Sequence, residues 1–189
     1  MESFLISAGV VALSELGDKT QLLSMLLAAR FRKPLPVIAG ILAATLVNHT
    51  LAGAIGTWVR NVVPEQALRW IVALSFLAVA AWALKPDTLD ASEAPPTSTH
   101  GVFWVTAVAF FLAEMGDKTQ IATAILASRF GSLLPVVAGT TVGMLLVDVP
   151  TVLFAGAVAR KLPFKWIRIA AAVVFAILGV TALHAPMSG

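Results

Sequence analysis

Apolar runs longer than roughly 20 residues, separated by short polar turns, dominate this chain and constrain its fold more than any other feature. Such a run crosses about 30 Å of hydrocarbon as a helix, where every backbone polar group must be satisfied internally. Charged residues make up 12% of the 189 and apolar residues 59%, whereas soluble domains carry roughly a quarter charged residues. Too little polar surface remains to face water. The chain therefore reads as an all-α integral membrane protein, with spans expected near residues 3–29, 35–59, 67–84, 102–128, 133–158 and 164–184.

The net charge of +3 does not indicate a nucleic-acid partner, because the basic residues sit singly or in small groups between apolar segments. With no cysteine present, disulfides, thiolate metal sites and thiol nucleophiles are excluded, and any metal ligand must be oxygen or imidazole. The chain enters an apolar segment directly after Met1-Glu2-Ser3, without a basic n-region or cleavage site. The first helix is expected to be retained, and the compact, leaderless chain reads as bacterial.

Sliding the chain on itself by 99 residues places Glu15-x-Gly17-Asp18-Lys19-Thr20-Gln21 on Glu114-x-Gly116-Asp117-Lys118-Thr119-Gln120. The match extends well beyond that motif: Arg30-Phe31 falls on Arg129-Phe130, Leu35-Pro36-Val37 on Leu134-Pro135-Val136, Ala39-Gly40 on Ala138-Gly139, and Pro64 on Pro163. Matched polar, proline and glycine positions point to a duplication. The expected organisation is a three-helix repeat over residues 1–84, a mobile cytoplasmic linker over 85–101 rich in Pro, Ser and Thr, and a second repeat over 102–189. An odd number of spans per half turns the second copy upside down in the membrane, giving six transmembrane helices as two inverted three-helix repeats. Lys and Arg set the orientation. Arg30, Arg32, Lys33, Lys85, Arg160, Lys161, Lys165 and Arg168 fall on one side, against Arg60, Arg69 and Arg129 on the other. The first side is expected to be cytoplasmic, with both termini outside.

Glu15, Asp18 and Lys19 lie about midway along the first span, and Glu114, Asp117 and Lys118 about midway along the fourth. Charge at that depth costs roughly 2.5 to 3.5 kcal/mol per residue on insertion scales, so these groups should face a cavity or each other. On an unbroken helix, positions i and i+3 share a face, which pairs Glu15 with Asp18 and Glu114 with Asp117; Lys19 and Lys118 follow the glutamates at i+4. Gly17 and Gly116 can loosen the helix or admit a close neighbour, and broken helices at midplane are where transporters expose backbone carbonyls to ions. Inverted symmetry gathers the four carboxylates around one axis, where they require a cation or protons. Carboxylates supplemented by Thr20, Thr119, Gln21, Gln120 or carbonyl oxygen suit hard divalent ions such as Ca²⁺, Mn²⁺ and Mg²⁺.

The doubled Glu-x-Gly-Asp-Lys-Thr motif, Glu15 to Thr20 and Glu114 to Thr119, resembles the signature of calcium/cation antiporter family two. That family includes Golgi calcium/manganese:proton exchangers, chloroplast manganese carriers and small bacterial manganese exporters. The resemblance covers almost the whole chain. It implies a secondary transporter, not an enzyme, that binds metal at Glu15, Asp18, Glu114 and Asp117 and exchanges it for protons across a bacterial inner membrane. It implies no cofactor: Mn²⁺ or Ca²⁺ is the transported substrate, Mn²⁺ placed first, although the family spans both. Its partners are the metal ion, protons and the lipid bilayer; oligomeric state is not read.

Outside the motifs, Asn48-His49 falls on Val147-Asp148 and breaks the repeat. Asp148 reads equally as an accessory ligand or proton carrier and as an interhelical hydrogen-bond partner, whereas His49 reads first as a packing residue. An intramembrane aspartyl protease also places Asp after Gly, but it pairs with a Tyr-Asp partner, and this chain has no tyrosine. An exporter of cationic amino acids is the other transport reading, since an acidic pocket also accepts ammonium groups.

Overall fold

The computed structural model describes residues 1–86, 101–154 and 163–184. The linker expected over 85–101 falls almost wholly outside these residues, as do Arg160, Lys161 and the end of the fifth expected span. Among the described residues there are eight helices: α1 (Glu2–Glu15), α2 (Lys19–Phe31), α3 (Pro34–Val62), α4 (Glu65–Ala83), α5 (Val102–Glu114), α6 (Lys118–Phe130), α7 (Leu133–Leu153) and α8 (Phe164–His184).

Four of them, α3, α4, α7 and α8, are long and apolar enough to cross a membrane, and α5 is a shorter apolar helix. Segments 3–29 and 102–128, read from the sequence as unbroken spans, are instead each divided in two by the three residues after Glu15 and after Glu114. At 13 or 14 residues, each half-helix rises about 20 Å, short of the hydrocarbon thickness.

Local chemistry sets the other boundaries. Pro34 opens α3, where its missing N–H costs nothing. Helices α2 and α6 end at equivalent places in a left-handed residue, Arg32 (φ 52°) and Gly131 (φ 62°), whose N–H groups return to the Ala28 and Ala127 carbonyls.

Each broken segment packs against the long helix of the other half: α1 and α2 lie on α7, and α5 and α6 lie on α3. The long helices meet across the middle as α3 on α7, and α4 runs along α8, with Phe76 and Phe175 ring centroids 6.2 Å apart. Small residues bring these backbones close. A Cβ at Gly143 would run into the Ala8 carbonyl of α1, and one at Gly56 into the Ala124 carbonyl of α6. Large apolar side chains, among them Leu51, Ile55, Trp58, Trp104, Leu146 and Trp166, cover the outside instead of a polar shell. An outside of that kind is matched by lipid. The chain is a multi-pass membrane protein, and its buried polar groups concentrate where the two breaks meet.

Candidate metal centre at the two helix breaks

The two breaks share one backbone conformation. Leu16 (φ −65°, ψ 108°), Gly17 (φ 84°) and Asp18 (φ −80°, ψ 166°) match Met115 (φ −63°, ψ 119°), Gly116 (φ 75°) and Asp117 (φ −76°, ψ 162°). Positive φ is the reason for glycine there: a side chain in the left-handed region costs roughly 1–2 kcal/mol. Each glutamate is the last residue of one helix and each aspartate stands at the N-cap position of the next, where Asp117 accepts from the Thr119 N–H at 3.3 Å.

The glutamines brace the breaks. Gln21 Oε1 accepts from the Gly17 N–H at 2.8 Å, and Gln120 Oε1 from the Gly116 N–H at 2.8 Å. Their amides then reach the opposite half: Gln21 Nε2 donates to Thr151 Oγ1 on α7 at 3.1 Å, and Gln120 Nε2 to Asn48 Oδ1 on α3 at 3.4 Å. Asn48 in turn donates to the Phe111 carbonyl of α5 at 3.1 Å.

Between the braces, the acidic groups are withdrawn from solvent. Glu15, Asp18 and Glu114 have no exposed surface and Asp117 only 3%. One carboxylate oxygen each from Glu15, Glu114 and Asp117 lie within 4.8 Å of one another. An ion with oxygen ligands at about 2.3–2.6 Å spans such a set. Asp18 stands beside this trio in an ion pair with Lys118, while Lys19 Nζ lies 3.9 Å from Asp117 Oδ1. Sequence spacing set each lysine over the glutamate of its own motif. The Lys118–Asp18 and Lys19–Asp117 pairs run between motifs, and the residues between Glu15 and Lys19 are not helical, so the i+4 relation does not apply.

The two glutamates differ in company. Thr20 Oγ1 donates to Glu15 Oε2 at 2.6 Å and Thr119 Oγ1 donates to Glu15 Oε1, so hydroxyls from both motifs converge on one carboxylate. Among the described residues neither oxygen of Glu114 has a hydrogen-bond partner. Asp148 and His49 are also fully buried, with no hydrogen-bond partner on either oxygen or either ring nitrogen.

Two contributors carry no mark in the sequence: Thr151, which anchors Gln21, and Ser14, whose hydroxyl lies 3.5 Å from that of Thr119. Serine and threonine bond to their own helix readily, so their presence in an apolar run carries little signal.

The chain matches the family described as "Divalent cation/proton antiporter GDT1" over residues 3–91 and 102–188. It is 48% identical to a Vibrio cholerae serotype O1 protein named "Putative manganese exporter", over 95% of this chain and 90% of that one. The Arabidopsis thaliana "GDT1-like protein 5" is 25% identical over 99% of this chain and 97% of its own length. A rice relative, "GDT1-like protein 4" of Oryza sativa subsp. indica, is 28% identical over 75% of this chain and 59% of its own. No solved structure matches the chain.

Proposed function

Since the chain belongs to the GDT1 family of divalent cation/proton antiporters, we propose that it exports a divalent cation from a bacterial cytoplasm in exchange for protons, Mn²⁺ ahead of Ca²⁺. The observation that carries this reading is the buried trio of Glu15, Glu114 and Asp117, with oxygens from both motifs within 4.8 Å and Glu114 left without a hydrogen-bond partner. Three carboxylates so close repel one another and are held together only by a cation or by protons. Asp18 completes the ligand set when Lys118 gives way to the metal. An all-oxygen set in a chain without cysteine favours hard ions. Mg²⁺ ranks below Mn²⁺ because it gives up its water reluctantly. The Mn²⁺ preference also draws on the name of the Vibrio cholerae relative.

In this reading each broken pair, α1 with α2 and α5 with α6, crosses the bilayer as one interrupted span. Six spans then form two inverted repeats, 1–84 and 102–189. The reciprocal packing of each broken pair on the long helix of the other half supports this arrangement. The loop carrying Arg32 and Lys33 faces the cytoplasm of the inner membrane, and the start of α1 faces outward.

Reconstitution into proteoliposomes tests the function. Wild-type protein should carry Mn²⁺, with Ca²⁺ competing and lysine neither competing nor crossing. Glu114→Gln and Asp117→Asn should reduce Mn²⁺ flux at least about a hundredfold at normal folding and insertion, as expected for loss of a charged ligand. Full flux in either variant, or transport of lysine in place of metal, would overturn the assignment.

A further inference from the structure

Asp148 lies outside both motifs, and the scheme above leaves it unused. It sits on α7 with no exposed surface, and neither carboxylate oxygen has a hydrogen-bond partner among the described residues. A carboxylate in that condition is far costlier inside an apolar bundle than the hydrogen-bonded Ser, Thr or Asn that usually joins helices there. Its level follows from the parallel packing of α7 on α1. A Cβ at Gly139 would meet the Phe4 carbonyl and one at Gly143 the Ala8 carbonyl. Slightly more than one further turn brings Asp148 to the end of α1, where Glu15 is.

Its neighbourhood is acidic and lined with oxygen. Glu15 lies at its level on α1, and Ser24, equally withdrawn from solvent, lies on α2, which packs against α7. The Ser24 hydroxyl donates to the Gln21 carbonyl at 2.9 Å, which leaves its oxygen lone pairs available to a cation. One turn further along α7, Thr151 receives the Gln21 amide. The 99-residue repeat puts His49 at the equivalent place in the other half, also buried and without a hydrogen-bond partner. The duplicated scaffold therefore does not demand an acid there, and this one belongs to the α2/α7 side alone.

We propose that Asp148 and the Ser24 hydroxyl, next to Glu15, form a second divalent-cation station on the α2/α7 side, through which the transported ion passes to or from the Glu15–Glu114–Asp117 cluster. The station rests on the transport reading. It gives the buried, unpartnered carboxylate an occupant of opposite charge and the chemistry its surroundings can hold: a carboxylate, a hydroxyl and a shared glutamate, all hard oxygen donors. It also makes the ion path unequal in the two halves although the motifs are duplicated.

The test uses full-length protein, melted in detergent with and without Mn²⁺ and assayed for Mn²⁺ flux in proteoliposomes over a range of concentrations. Asp148→Asn should melt without metal at or above the wild-type temperature, because an unpaired charge has gone. Its half-saturating Mn²⁺ concentration should rise about tenfold with a smaller change in maximal flux, and the Mn²⁺-induced rise in melting temperature should shrink. Asp148→Glu should restore most of both effects, and Ser24→Ala should raise the half-saturating concentration less. An Asp148→Asn protein with the wild-type half-saturating concentration overturns the station. If that variant melts lower as well, Asp148 is a packing residue. If Asp148→Asn does not fold, Ser24→Ala decides, and an unchanged half-saturating concentration there overturns the proposal. A wild-type protein that neither carries Mn²⁺ nor is stabilised by it defeats the transport reading itself, which is a different result.

Discussion

Lys118 and Asp18 come from different motifs and meet where solvent does not reach, with side-chain exposures of 5% and 0%. Taking one ion out of a buried pair leaves the other without that opposite charge and typically costs about 3–5 kcal/mol, although Asp18 also accepts from Thr20 Oγ1 at 3.2 Å. Lys118→Met should therefore destabilise the detergent-solubilised protein by about that much, whereas Lys118→Met combined with Asp18→Asn should cost clearly less than Lys118→Met alone. Denaturant titration of the two variants checks this, and a Lys118→Met protein as stable as wild type would show that the pair contributes little. At this scale the sequence was informative about which residues are charged and buried, because Glu, Asp and Lys in the middle of apolar runs are conspicuous. It did not reveal who partners whom. The convergence of Thr20 and Thr119 on Glu15, with Glu114 left bare, is a difference between two identical motifs, and no reading of the motif alone could supply it.

The helix break is the element on which the site depends, and its two copies sit in different surroundings. Gly17 and Gly116 both have positive φ, 84° and 75°. A Cβ on Gly17 would lie 2.5 Å from the Phe164 ring at the start of α8, whereas a Cβ on Gly116 meets nothing within 4 Å. Gly116→Ala should then cost only the backbone term, about 1–2 kcal/mol, and Gly17→Ala should cost more. Phe164→Ala in the Gly17→Ala background should bring the loss back toward that of Gly116→Ala. Melting temperatures of the three proteins decide it, and equal losses for the two glycine variants would mean that Phe164 yields freely. The sequence placed the ends of α3, α4 and α8 within a few residues, since proline, polar turns and long apolar runs mark them. Gly17 and Gly116 raised a midplane break from the sequence but could not settle it, because glycine is common inside membrane helices and an apolar run looks the same whether its backbone is continuous or interrupted. Only the left-handed conformation distinguishes a loosened helix from a broken one.

For the molecule as a whole, the 99-residue repeat anticipated that the halves would meet at their motifs, and each broken pair does pack on the long helix of the other half. The repeat could not anticipate that α4 and α8 would lie against α6 and α1, because that choice depends on how the halves are packed and not on either half's pattern. The charge gathered at the centre governs what this assembly can do. Within the two motifs, Glu15, Asp18, Glu114 and Asp117 against Lys19 and Lys118 give four negative and two positive charges, a formal −2 that one divalent ion would bring to zero, with the Asp148 carboxylate outside that count. Without metal, a −2 centre enclosed by apolar helices is penalised heavily if the surrounding helices move around it, since every ion there has lost its water. On the proposed function protons remove that penalty, and carboxylates that ligate metal must release them when metal returns, so metal and protons would alternate at one place. Metal entering proteoliposomes should therefore alkalinise a trapped pH dye in the lumen, and an outward proton gradient should drive Mn²⁺ uptake above its equilibrium level. Because two protons balance one divalent ion, an imposed membrane potential should change the rate far less than a pH gradient of equal energy. Mn²⁺ flux indifferent to the pH gradient at clamped voltage would rule out the shared site and leave a uniporter or another counter-ion.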